Sequence, residues 1–177
     1  MGLDITAYAR IKKLDAVFDE DGNPLDYKTR EPIADYYQCR FNHDFPGRAE
    51  GLEDRAVYSF ENSNGAFQMG YGGYNAWRNA LAKHAGYPLT PYVSHGVEDS
   101  NYAAACWQGA TGPFSELINF SDCEGDIGPV VAAKLAKDFA DFDERMKSHM
   151  TDYHYQKYRD MRACMEMAAD GGAVSFH

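Results

Sequence analysis

The chain has 177 residues, of which 27 are acidic and 17 basic, so its formal net charge is −10. This length fits a single domain spanning residues 1–177, at roughly 100–200 residues per domain. An apolar fraction of 45% with 14% aromatic residues excludes a disordered acidic tail. The apolar runs are too short for a membrane span, and residues 1–10 lack the apolar core of a signal peptide. We therefore expect no membrane association and a cytoplasmic location.

The acidic excess extends along the whole chain. Residues 1–62 hold 13 acids and 8 bases, residues 63–125 hold 5 and 2, and residues 126–177 hold 9 and 7. This balance argues against direct nucleic-acid binding, which needs a basic stripe to displace counterions. It is compatible with binding to a protein that has a basic surface, and equally with plain solubility. No cofactor signature occurs, so we expect no cofactor.

The N-terminal part predicts strands and turns. Residues 3–10 alternate between apolar and polar side chains, which is typical of a half-buried strand. Asp21-Gly22-Asn23-Pro24 predicts a turn at a hairpin or Ω-loop tip. Its acidic residues do not make an EF-hand, because Gly22 comes too early in the loop. Short strands are expected at 36–41 and 56–60, with a loop at 42–54 between them.

The middle of the chain is rich in glycine and aromatic residues. Residues 62–73 read as a glycine-rich approach to a helix over 74–85, whose apolar stripe is Tyr74, Trp77, Leu81 and Ala85. Residues 88–113 are irregular, with a short helix at 102–107, and such a stretch is often functional in a compact domain.

The C-terminal part predicts a strand at 114–120, helices at 129–149 and 152–170, and a last short strand at 173–177. Asp126 is expected to cap the helix that Pro129 opens. The fold class is therefore α+β, a mostly antiparallel sheet of four to six strands with about three helices packed mainly on one face. Strands 3–10 and 114–120 are both expected to be central.

The best local candidate for a site is the turn at 119–125. Asn119, Ser121, Asp122, Cys123 and Glu124 lie between a predicted strand and a predicted helix, where backbone N–H groups favour anions. The same position can lower the pKa of Cys123 and make it a nucleophile, although two flanking carboxylates oppose this. A capped turn with no ligand is the alternative.

A second candidate is the segment 70–78. Its glycines precede a helix as in phosphate-binding loops, but the pattern matches no nucleotide motif. Tyr71 and Tyr74 can stack on a base or a partner side chain, and Arg78 can pair with a phosphate. Asn75 lies between them. We predict that this segment and the 119–126 turn face each other across one pocket for a nucleoside-like ligand.

A catalytic set is also conceivable. Two histidines, His84 and His95, lie in the charge-poor residues 63–125, and His95 lies in a loop. With Cys123 and Asp122, His95 would form a set of base, nucleophile and orienting carboxylate. Nothing in the sequence brings these three residues together. The four cysteines have no zinc-site spacing, and we expect them to be reduced thiols and no metal to be bound.

Several segments together resemble a family of small proteins of tailed phages and prophages. They are Met1–Ile5, the stretch Gly73-Tyr74-Asn75-Ala76-Trp77-Arg78, the motif Ile118-Asn119-Phe120-Ser121-Asp122-Cys123-Glu124-Gly125, and Leu135–Phe139. The resemblance brings no active site with it. It implies a phage-encoded protein made in a bacterial host cell, and small acidic phage proteins often act on the host, for example against a defence system.

Two functions of different classes follow. The first is a non-enzymatic binding protein that inhibits or sequesters a host factor, its target being a basic protein surface or a small nucleotide-like ligand. The alternative is a small hydrolase that uses Cys123 or the Asp122/Glu124 pair, with His95 as the base.

Overall fold

The computed structural model of the protein describes residues 2–177. Its first half contains strands β1 (Gly2–Ala9), β2 (Lys12–Lys13), β3 (Ala16–Phe18), β4 (Pro24–Asp26), β5 (Tyr37–Gln38), β6 (Val57–Ser59) and β7 (Asn62–Gly70), followed by helix α1 (Tyr71–Ala85). The second half contains β8 (Thr90–Ser94), β9 (Val97–Asn101), α2 (Ala104–Trp107), α3 (Ser115–Ile118), β10 (Gly125–Ile127), α4 (Pro129–Asp141), α5 (Asp143–His149), α6 (Asp152–Ala169) and β11 (Ala173–Phe176). No helix within residues 2–177 is long and apolar enough to cross a membrane.

The main sheet has four antiparallel strands in the order β10-β11-β1-β7. Strand β1 lies between β11 and β7, and Ile5 stands opposite Phe176 on one side and Phe67 on the other. One face of β1 is buried, because its apolar residues alternate with polar ones and successive side chains of a strand point to opposite faces. Helix α6 packs on β1, β7 and β11, and α4 packs on α6. We call this sheet and its helices the body.

A second layer covers part of the other side of the sheet. Residues 11–60, which we call the wall, contain the three-stranded sheet β2-β6-β5 and the hairpin β3-β4. Tyr8 of β1 stacks on Tyr37 with ring centroids 4.7 Å apart, and Tyr37 in turn stacks on Tyr58. Aromatic contacts therefore join the wall to the solvent-side face of β1.

Much of the predicted fold is confirmed. The class is α+β, β1 is central, and the hairpin tip at 19–23 is closed by the Asp19 carboxylate, which accepts hydrogen bonds from the backbone N–H groups of Asp21 and Asn23. The predicted helix 152–170 and strand 173–177 appear as α6 and β11. Pro129 opens α4 as predicted.

The helix count is higher than predicted. Residues 2–177 contain six helices instead of about three, because two are single turns and the expected helix 129–149 is divided into α4 and α5. The division falls at Phe142, whose ψ of 0° departs from the helical value. Its ring packs on Phe114 with centroids 5.5 Å apart.

Two segment predictions are wrong. Residues 114–120 are not a central strand but the short helix α3, in which Phe114, Leu117 and Ile118 are buried. Their spacing of three and four residues is helical, which a reading based on apolar content misses. Residues 88–113 are not irregular throughout, because β8 and β9 pair there as an antiparallel hairpin. Residues 62–70, predicted only as a glycine-rich approach to a helix, form β7, an edge strand with Phe67 and Met69 buried. An edge position tolerates the glycines and asparagines that argue against a strand.

Candidate functional site

The predicted 119–125 turn is held by a serine. The Ser121 hydroxyl accepts hydrogen bonds from the backbone N–H groups of Cys123 and Glu124, at 3.2 and 3.1 Å. The turn leads into strand β10, and helix α4 begins only at Pro129, so no helix begins at residues 119–125 themselves. The turn therefore has no helix N-terminus of its own to attract an anion or to lower the pKa of Cys123.

The 70–78 segment does meet this turn. Asn75 donates a hydrogen bond to the Asp122 carboxylate at 2.9 Å, and Arg78 donates to the backbone carbonyl of Phe120 at 2.5 Å and to the Asn75 side chain. The Arg78 guanidinium lies over the Tyr74 ring, 4.5 Å from its centroid. The two segments thus share one polar cluster.

This cluster is packed and not open. Arg78 and Tyr74 are buried, and burial raises the pKa of Tyr74 to about 12. Tyr71 packs partly against the core, and the Asn119 backbone carbonyl accepts a hydrogen bond from Arg48. A buried arginine that is bonded to a backbone carbonyl and stacked on an aromatic ring is typical of a structural tie.

The predicted catalytic set is not connected by any described hydrogen bond. His95 lies in the turn between β8 and β9, where its ring is 3.0 Å from the Ser94 hydroxyl. The Cys123 thiol is exposed and lies 3.5 Å from the Ser121 hydroxyl. Asp122 is bonded to Asn75. Within residues 2–177, no group of three His, Cys, Asp or Glu side chains is placed to hold a metal ion.

An open cleft lies where the wall meets the edge of the body. Its volume is about 1020 Å³, which is at the upper end of the range of small-molecule sites. Residues 36–44 of the wall form one side, and residues 123–125 and 175–177 of the body form the other. Two predicted site residues, Cys123 and Glu124, line this cleft, whereas the Tyr74–Arg78 cluster does not.

The two sides of the cleft are tied together by a buried carboxylate. Asp126 in β10 is 1% exposed and accepts hydrogen bonds from the Tyr37 hydroxyl at 2.8 Å and the Arg40 backbone N–H at 2.5 Å. Its predicted role as a helix cap is wrong, since Gly128 occupies the cap position of α4. Burial raises the pKa of Asp126, and hydrogen bonds from Arg40, Ser175 and Tyr37 reduce this effect without cancelling it.

A glycine allows the two sides to approach each other. Gly125 has φ +111°, and a Cβ there would lie 2.6 Å from the Cβ of Asn42. The Asn42 amide donates to the Glu124 carbonyl at 3.1 Å across this contact. Any side chain at position 125 would therefore be strained and would separate the wall from the body.

The side chains that line the cleft combine aromatic rings with free charges. Tyr36 is 38% exposed and Phe41 is half-buried. Arg40 and Arg55 are exposed, and neither guanidinium is paired with a carboxylate of residues 2–177. Asp54 is already engaged, because it accepts from the Phe41 N–H at 2.9 Å and lies 3.7 Å from the His43 ring.

Sequence reasoning missed most of this cleft. The sequence predicts only a short strand at residues 36–41, yet in that run the apolar Tyr37, Cys39 and Phe41 alternate with the polar Gln38 and Arg40. This alternation was a signal of a strand with one buried and one exposed face. The mixture of Asn42, His43 and Asp44 directly after it was the other available signal. Comparison with protein-family models, with curated proteins and with solved structures found no match to this chain.

Proposed function

We propose that the chain is a phage-encoded, non-enzymatic binding protein that sequesters a small nucleotide-like ligand of the host in this cleft. The observation that carries the proposal is that two unpaired arginines and accessible aromatic rings line the same cleft. Support for a binding role over catalysis comes from Cys123, whose described hydrogen-bond partners are the Ser121 hydroxyl and no histidine.

The arginines supply a position for a phosphate. The chain has 27 acidic residues against 17 basic ones, so an exposed arginine could readily find a carboxylate. Arg40 and Arg55 line the cleft, and neither guanidinium has a carboxylate partner within residues 2–177. A guanidinium can bind a phosphate through two parallel hydrogen bonds. The carboxylates of an acidic surface have no donor for such bonds.

The rest of the cleft fits a nucleoside. The rings of Tyr36 and Phe41 offer faces for a base, and base–aromatic stacking is worth about 1–3 kcal/mol per base. The carboxylates of Asp44 and Glu124 can accept hydrogen bonds from ribose hydroxyls. These carboxylates would repel a second anionic group, so the phosphate is expected near the two arginines.

Binding can be measured with the four 5′-mononucleotides AMP, CMP, GMP and UMP by titration calorimetry. We expect saturable binding of at least one of them, and Arg55→Gln should weaken it roughly tenfold to hundredfold because a charge-assisted hydrogen bond is lost. The matched control is Arg159→Gln, since Arg159 is an exposed arginine of α6 outside the cleft. Absence of saturable binding for all four, or equal losses in both variants, contradicts the proposal.

Cys123 provides a second readout inside the cleft. It is exposed, whereas Cys39, Cys106 and Cys164 are buried and burial raises the pKa of each thiol. Iodoacetamide should therefore label Cys123 first, which follows from exposure and needs no catalytic role. A bound nucleotide should slow this labelling, and labelling that is unaffected at saturating nucleotide would place the ligand elsewhere.

A second candidate is docking on a basic host protein, favoured by the β8-β9 hairpin. Val93 and Val97 are 67% and 66% exposed on it, and Glu98 is exposed beside them. Residues 84–133 contain six acidic residues and no lysine or arginine. Such docking should weaken steeply with salt and with Glu98→Lys. An affinity that does not change between low and high salt would eliminate it.

A further inference from the structure

A second depression shares part of its lining with the cleft, at residues 41–43. Its volume is about 420 Å³, and Phe41, Asn42 and His43 line both spaces. We call it the side pocket. Because one three-residue segment lines both spaces, and we call this segment the rim, a single ligand of sufficient length can contact both.

The side pocket differs from the cleft in its chemistry. Much of its lining is apolar, from Phe41, Phe45, Pro46, Ala49 and Leu52. Volume and lining are suitable for a ring system of the size of a nucleobase.

The side pocket has one arginine, and that arginine is already bonded. Arg48 donates from Nε to the Glu116 carbonyl at 2.9 Å and from Nη2 to the Asn119 carbonyl at 3.1 Å. Burial lowers its pKa, and the guanidinium fastens the wall to the body. Phosphate binding is thus provided in the cleft, by Arg40 and Arg55, and an uncharged ring is the group that fits the side pocket.

We infer that the ligand is a dinucleotide, with one base in the cleft, the other in the side pocket and the phosphates on the cleft side of the rim. This inference rests on the proposed function, because it extends the ligand of the same cleft. Two linked groups that bind adjoining sites gain affinity through effective concentration, which commonly amounts to factors on the order of 100 or more.

The test compares AMP, CMP, GMP and UMP with pApA, pCpC, pGpG and pUpU by titration calorimetry on the unaltered protein. At least one dinucleotide should bind on the order of 100-fold more tightly than its mononucleotide. A ratio below about threefold for all four pairs, with mononucleotides bound, overturns the dinucleotide inference and leaves the proposed function standing, because that is less than the gain from effective concentration. If neither class binds, both fall.

A variant locates the second base. Pro46→Asp places a charge in the apolar side pocket, and it should remove the dinucleotide's advantage while leaving mononucleotide affinity unchanged. Pro91→Asp is the matched control, an exposed proline on β8 that lines neither space. If Pro46→Asp and Pro91→Asp keep the same advantage, the second base does not occupy the side pocket and the inference is wrong.

Discussion

The body and the wall of this protein are stabilised in different ways. In the body, Trp77, Phe139 and Tyr158 are fully buried between the four-stranded sheet and its helices. In the wall, the strands are two or three residues long, and the buried apolar cluster that includes Tyr37, Cys39 and Tyr58 is small. The wall therefore depends on its contacts with the body for much of its order, and the cleft lies at those contacts.

This difference indicates where the ligand specificity of the cleft can change with little loss of folding stability. Short strands bury little apolar surface, so a substitution in residues 36–44 alters the cleft without disturbing the main core. The bonds that fix the wall, from Tyr37 and Arg40 to Asp126 and from Arg48 to the carbonyls of Glu116 and Asn119, instead come from a few positions. Stability thus depends on the Tyr37 hydroxyl, the Arg48 guanidinium and the Arg40 backbone N–H, whereas the proposed affinity depends on exposed side chains, among them the Arg40 guanidinium.

The largest expected effect is loss of the body's core. Trp77→Ala removes a fully buried ring that stacks on Tyr74 and donates to the His154 carbonyl, and it should lower the free energy of unfolding by about 3–5 kcal/mol. Trp107→Ala is the control, because Trp107 is 42% exposed and makes an edge contact with Tyr92. Urea unfolding of both variants checks the difference, and comparable losses would contradict the assignment of the core to the body.

A smaller effect is expected at the junction of wall and body. A Cβ on Gly128 would lie 2.3 Å from the Glu50 carbonyl oxygen, and Gly128 also donates to the Arg48 carbonyl at 2.9 Å. Gly128→Ala must therefore displace the wall, at a cost of about 1–3 kcal/mol in unfolding free energy.

The control for this variant is Gly72→Ala. A Cβ on Gly72 meets nothing within 4 Å, and the residue lies in the first turn of α1, where alanine should stabilise by roughly 0.5–1 kcal/mol. Thermal or urea unfolding measures both changes. A Gly128→Ala protein as stable as its parent would show that the wall moves freely over the body.

The parts of the fold that the sequence predicts are those with a clear local period. Strand β1 alternates with a period of two, and α6 carries its buried residues at helical spacing. Residues 114–120 are predicted incorrectly because apolar content outweighed the spacing of Phe114, Leu117 and Ile118. Strand β7 contains glycines and asparagines, which are not typical of strands. They are tolerated because β7 is an edge strand, which pairs with a neighbour on one side only.

The cleft could be predicted only in part, for a different reason. Glu124 and Cys123 stand out locally as polar residues in a tight turn. Their opposite side comes from residues more than 80 positions away: Asn42 bonds the Glu124 carbonyl, and Tyr37 bonds Asp126. No local pattern encodes such a pairing, so the same reasoning placed Asp126 at a helix cap, where its charge would have been exposed.

The smallest expected effect is a change in how stability depends on pH, produced by Asp126→Asn. Asparagine keeps an oxygen that accepts from the Tyr37 hydroxyl and the Arg40 N–H, so the tie between wall and body should persist. Burial raises the pKa of the Asp126 carboxyl above its ordinary value near 3.8, so the folded state holds this proton more tightly than the unfolded state does. Its contribution to stability is therefore present below that ordinary value and is lost as the pH rises through the folded-state pKa.

Asparagine has no such proton, so the stability of Asp126→Asn relative to its parent should increase from acid to neutral pH. Urea unfolding of both proteins across that range measures the difference, in which the other carboxyl groups cancel because they are common to both. A difference that is constant with pH, or that decreases toward neutrality, would mean that the carboxylate is stabilised where it lies and that the wall and the body are joined by a favourable charge.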